Sequence, residues 1–127
     1  MRWAVIMTGS RRLIAEEHGG VIRADLERYR SAEHVIVLHG AYDGADKIAE
    51  AAARALGFDP WGIPYFGWKQ KAGGPARNRC LVDVGVTLRK HGYSLRLHGY
   101  PDADSVGTRQ CIAYATSCGV ECEVTTL

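Results

Sequence analysis

The sequence predicts one α/β domain of Rossmann-like build, a parallel sheet of about five strands with helices on both faces. Three observations carry this: short apolar runs that are continuous rather than alternating, helix-period patterns between the runs, and glycine-containing turns where the runs end. A strand covered on both faces has no solvent side, so it is apolar throughout. Strict rotation of such runs with amphipathic segments implies right-handed crossovers and helices on both faces of one sheet. A chain of 127 residues, 46% hydrophobic and 24% charged, suits a single domain over 1–127 with its own core.

The first run, Trp3 to Met7, ends in Thr8-Gly9-Ser10-Arg11. Helical spacing follows over Arg12 to Arg30 through Leu13, Ile14, Val21, Ile22, Leu26 and Tyr29, with Gly19-Gly20 weakening its middle. His34 to Leu38 (HVIVL) is the second strand, closed by His39-Gly40. Asp46 to Leu56 is a cleaner helix, with Ile48, Ala49, Ala52 and Leu56 on one face, Asp43 placed as its cap and Gly57 as its stop. Pro75 suits the first residue of a third helix through about Val84, because its missing N–H has no partner to lose there. Ser94 to His98 is a further strand, and Gly99-Tyr100-Pro101 leads into a last helix from Val106 to about Cys118. Gly119 ends that helix, and Val120 to Val124 forms the final strand.

Composition excludes several classes. The net charge is +2, from 16 basic and 14 acidic residues that are interspersed, so no basic stripe tracks a phosphate backbone and no nucleic-acid partner is expected. The opening MRWAVIMTG is too short for a signal-peptide core, and no stretch reaches transmembrane length. A cytoplasmic protein without a membrane partner is expected. Cys80, Cys111, Cys118 and Cys122 lack the paired spacing of a zinc ribbon and read as free thiols. Weighed against a metal set, Cys111, Cys118 and Cys122 fit better as small residues on core faces. The five histidines form no H-x-x-x-H pair, and neither a metal nor a cofactor is expected.

In parallel sheets, ligands bind outside the carboxyl ends of the strands, where the strand order reverses. The loops there are therefore the candidates. Thr8 to Arg12 offers Gly9 for close backbone approach, Ser10 for a phosphate or a cap, and Arg11 as a planar fork for an anion. Gly40 to Asp46 places two carboxylates among glycines, suited to ribose hydroxyls or to capping, with Asp46 the stronger candidate. Trp61, Tyr65, Phe66 and Trp68 precede Ala72-Gly73-Gly74-Pro75-Ala76-Arg77-Asn78. Their rings suit base stacking or a hydrophobic plug, while Arg77 and Asn78 suit a binding mouth. Pro101 to Thr108 puts Ser105, Gly107 and Thr108 at a helix start, which favours an anion.

Taken together, GSR after the first strand, HGAYDGAD after the second, AGGPARN before the third helix and SVGT before the last resemble the YspA-like branch of the SLOG superfamily. That resemblance implies a Rossmann-like domain binding nucleotides or nucleotide-derived signals such as ADP-ribose. It marks Gly9, Ser10, Arg11, Gly40, Gly44, Asp46, Gly74, Arg77, Asn78, Gly107 and Thr108 as the pocket, joined by Ser105. Relatives include LOG-type phosphoribohydrolases and sensor domains of anti-phage systems. There are two departures. AGGPARN has one glycine more than AGPxRN, and the PGGxGT element of LOG enzymes with its catalytic glutamate is replaced by PDADSVGT followed by Arg109-Gln110-Cys111. Gln110 and Cys111 stand where the acid would fall, and an amide is no general base.

The function expected is therefore binding of a nucleotide-derived small molecule, as a sensor or sequestering module in a phage–host or stress context, with no catalytic residue assigned and a homo-oligomer compatible with that role. The alternative is a hydrolase of N-glycosidic or phosphate bonds using Asp46 or Asp43, and a third reading is an interaction protein with a vestigial pocket.

Overall fold

The computed structural model describes residues 1–64 and 70–127, the side chains of residues 70–74 excepted. Strands and helices alternate: β1 (Arg2–Gly9), α1 (Ala15–Glu27), β2 (His34–His39), α2 (Ala45–Ala55), β3 (Asp59–Gly62), α3 (Gln70–Lys90), β4 (Ser94–Tyr100), α4 (Val106–Ser117) and β5 (Glu121–Val124). The strands form one sheet in the order β3-β2-β1-β4-β5, and every pairing is parallel. This is the α/β Rossmann-like class expected from the sequence.

Side chains of a strand alternate between faces, so β1 serves two cores. Val5 and Met7 pack with Ile22 and Leu26 of α1 and Ile48 and Ala49 of α2. Ala4 and Ile6 pack with Leu81 and Val82 of α3 and Cys111 and Ala115 of α4. Ile6 and Leu97 are fully buried, and each such side chain contributes ~1.5–3 kcal/mol. The chain runs outward from β1 to β2 and β3, then returns to β4 on the other side of β1. The order therefore reverses between β1 and β4, and a crevice opens at their carboxyl ends.

Three elements differ from expectation. Helix α1 begins at Ala15 rather than Arg12, because the Arg12 N–H is taken by the Ser10 hydroxyl oxygen at 3.0 Å and Ile14 is still extended at φ −120°. Helix α3 begins at Gln70, so Pro75 lies inside it. Its missing N–H removes one backbone bond from a helix that continues on both sides. Strand β3 (DPWG) carries no apolar run, since it lies at the sheet edge and is largely exposed. Pro60 is tolerated there because an edge strand has a side that pairs with nothing.

Candidate functional site

Gly9 of β1 pairs with Tyr100 of β4, and the Ser10 N–H donates to the Tyr100 carbonyl at 3.0 Å. Just beyond, at the reversal point, a cleft of about 710 Å³ opens between the loops after β1, β2 and β4 and the side of α3. Gly9, Ser10, Arg11, Gly40, Asp46, Arg77, Asn78, Ser105, Gly107 and Thr108 all line it. Gly44 does not, and Gly74 falls outside the residues whose surroundings are described.

The loop after β2 is set by its backbone. Ala41 takes a left-handed φ of 55°, and its N–H donates to His39 Nδ1 at 3.0 Å. His39 Nε2 meets Glu50 at 2.9 Å, which fixes the ring. Burial lowers the pKa of this histidine, against the pull of Glu50. Gly44 then takes φ 77° and ψ −130° as the residue before α2. A Cβ there would strike the Ser10 carbonyl and the Arg11 backbone. The Ala45 N–H donates to that same Ser10 carbonyl at 3.1 Å. Gly44 thus fastens the second loop to the first instead of facing a ligand. Asp43 is not the cap of α2; it pairs with Lys47 at 2.8 Å in solvent.

Asp46 is 7% exposed, and burial pushes its carboxyl up to about 6, against the Arg77 charge and the Tyr42 and Gly40 N–H groups. The Tyr42 N–H donates to Asp46 Oδ2 at 3.3 Å. Arg77 Nη1 donates to the Gly40 carbonyl at 2.6 Å and its Nε to Asn78 Oδ1 at 2.9 Å, while Asn78 Nδ2 donates to the Gly107 carbonyl at 3.2 Å. One adjacent pair on α3 thereby ties the β2 loop to the head of α4. A Cβ on Gly40 would lie 2.8 Å from Asp46 Oδ2 and run into the Arg77 guanidinium, so glycine is what lets these groups meet over the backbone.

Because α1 starts at Ala15 and Pro75 lies inside α3, the helix starts that the described residues place at the cleft are those of α2 and α4, not starts at Arg12 and Pro75. Ser105 precedes α4 but does not cap it with its side chain. Its hydroxyl donates to Asp102 Oδ1 at 2.8 Å. The Ser10 hydroxyl donates to Asp102 Oδ2, and the Asp104 N–H donates to Oδ1 at 2.8 Å. The Ser10 hydroxyl, the Ser105 hydroxyl and the Asp104 amide together hold the Asp102 carboxyl down at about 2. At the rim, Arg11 lies over the Tyr42 ring, 5.0 Å from its centroid, and Arg12 pairs with Asp104 at 2.8 Å.

Sequence reasoning missed Tyr42 and Asp102 as cleft residues. The D-x-x-S spacing of Asp102 and Ser105 was the available signal for the second. Trp61 faces a separate groove of about 490 Å³ beside Ala76, Arg79 and Cys80, and Tyr65, Phe66 and Trp68 lie outside the described residues. Gln110 reaches the cleft, whereas Cys111 is fully buried, its thiol pushed up to about 11 by burial. Among the described residues, no group of three histidines, cysteines or carboxylates is placed to hold a metal ion, and no helix is long and apolar enough to cross a membrane.

No family model and no curated protein matches the sequence. Among solved structures, the chain is similar to DNA processing protein A (DprA) from Streptococcus pneumoniae, with a TM-score of 0.57 and 14% identity over 95% of this chain and 58% of that one. The chain thus spans less than two thirds of DprA's length. The likeness is one of fold.

Proposed function

We propose that the cleft binds a nucleotide or nucleotide-derived small molecule, as the SLOG resemblance implies, and that the protein is a cytoplasmic sensor or sequestering module of the YspA-like kind. One observation carries this reading: residues from four separate segments, singled out by type and spacing, line a single cleft at the strand-order reversal. Arg11, a planar cation lining the cleft, suits an anion. The Tyr42 ring suits stacking, and Asp46 suits a ligand hydroxyl. The cleft's about 710 Å³ is the scale of a small-molecule site rather than of a nucleic-acid track.

Calorimetric titration with ADP-ribose and AMP is the test. Binding by the parent, weakened by about 1.5–3 kcal/mol in Arg77→Ala and by less in Asn78→Ala, is the expected result. Because Arg77 also holds the Gly40 carbonyl, its removal should lower the melting temperature as well, so affinities are compared well below both melting points. A parent that binds neither compound would remove this reading.

The raised carboxyl of Asp46 favours a second reading, hydrolysis, since an acid titrating near 6 can deliver a proton close to neutral pH. Against it stands Gln110, an amide without proton affinity. Incubation with AMP, GMP and CMP is expected to release no free base at steady rates. Turnover abolished by Asp46→Asn or Asp104→Asn would replace binding by catalysis, and activity created by Gln110→Glu in an inert parent would support the binding module.

A further inference from the structure

The cleft contains an anion of its own. Ser10 and Ser105 supply the hydroxyls that a phosphate at the head of α4 would use, and both already donate to Asp102. The Asp104 N–H, another donor of that loop, is spent on the same carboxylate. Asp104 is answered by Arg12 across the rim. Asp102 has no such ion pair among the described residues; its partners are two hydroxyls and an amide, the set that would otherwise cradle a phosphate oxygen. A carboxylate beside the first turn of α4 also satisfies the positive end of that helix.

Building on the nucleotide reading of the cleft, we propose that Asp102 determines specificity: it occupies the phosphate position at the head of α4, so this end takes the hydroxyl-bearing sugar of the ligand and turns phosphate away toward Arg11. Two chemical facts support the assignment. A phosphate and a carboxylate are both acceptors, so they compete for the same donors and repel each other when placed together. A sugar hydroxyl is a donor. Oδ2 accepts only the Ser10 hydroxyl among the described residues, which leaves it a free lone pair for such a group. The charge persists at every physiological pH, because the carboxyl titrates near 2.

The test compares Asp102→Asn and Asp102→Ser with the parent, using inorganic phosphate, AMP and adenosine as probes. Asp104→Asn serves as a control that removes the same charge from the rim. Binding is read from the amide NMR shifts of Gly107 and Thr108. Phosphate is expected to bind on the order of tenfold tighter to both Asp102 variants than to the parent, with adenosine weakened and Asp104→Asn changing phosphate affinity by no more than about twofold. Unchanged phosphate affinity in both Asp102 variants overturns the assignment, as does an equal gain in Asp104→Asn, which would mark a general field effect. Should phosphate tighten as expected while neither AMP nor adenosine binds any form, the exclusion of anions by Asp102 stands and the nucleotide reading fails.

Discussion

Gly44→Ala is expected to lower the stability of the protein by about 3–5 kcal/mol. Two costs add at this position. The backbone sits at φ 77° and ψ −130°, a conformation open to glycine and strained for any residue with a Cβ. The added carbon also points at the Ser10 carbonyl and the Arg11 backbone, which cannot move aside as a flexible side chain would. Retreat of that backbone would break the bond from the Ala45 N–H to the Ser10 carbonyl. Urea denaturation gives the number directly, and a loss below about 1 kcal/mol would mean that the two loops separate easily. Gly57→Ala is the useful comparison: its φ is 75°, but nothing lies within reach of the new Cβ, so it shows the backbone strain alone, about 1–2 kcal/mol.

The second large effect is on the pH dependence of stability, through Asp46. Burial raises its carboxyl from 3.8 to about 6 in the folded protein. Below about pH 4 the group is protonated in both states and its ionisation affects folding in neither direction. Between about pH 4 and 6 the unfolded chain gives up the proton while the folded one keeps it, so stability falls as pH rises. Above about pH 6 the whole cost is in force, about 3 kcal/mol at ~1.4 kcal/mol for each pH unit separating the folded and unfolded midpoints. Asp46→Asn keeps the shape and cannot ionise. Measured by urea denaturation from pH 4.5 to 8, the stability of the variant relative to the parent should rise through this window and level off above it. A difference that stays flat across the range would show that Asp46 titrates as it does in the unfolded chain.

The apolar runs made β1 and β2 legible, because these strands are covered on both faces and carry few polar residues, whereas β4 shows itself by alternation, with Leu95 and Leu97 between Ser94, Arg96 and His98. The same logic hides β3. An edge strand of four residues containing Pro60 buries too little to leave a pattern. The start of α1 was misplaced for a related reason: Ser10, a residue that local preference assigns to a cap, spends its hydroxyl on Asp102, a partner 92 residues away. Ser105 likewise donates to Asp102, yet α4 starts at Val106 as its sequence indicates. Loop composition pointed to Arg77 and Asn78, yet not to their grip on the Gly40 and Gly107 carbonyls, which depends on how α3 lies across the sheet. Gly44 was singled out for closeness to a ligand. Its closeness is to Ser10.

The position of β4 beside β1 also governs the order in which the molecule is made. During synthesis β1, β2 and β3 emerge first, and β1 waits with one edge unpaired until β4 is free to join it. Only then do Ser10 and Asp102 meet, and only with α4 does Asn78 find the Gly107 carbonyl. A nascent chain halted before residue 94 has half a cleft, an open central strand and a sheet face without α4, the kind of species that associates with its own copies. The cleft is thus complete only once β4 and α4 have joined the sheet, and the contacts across it cannot protect the intermediate that most needs protection.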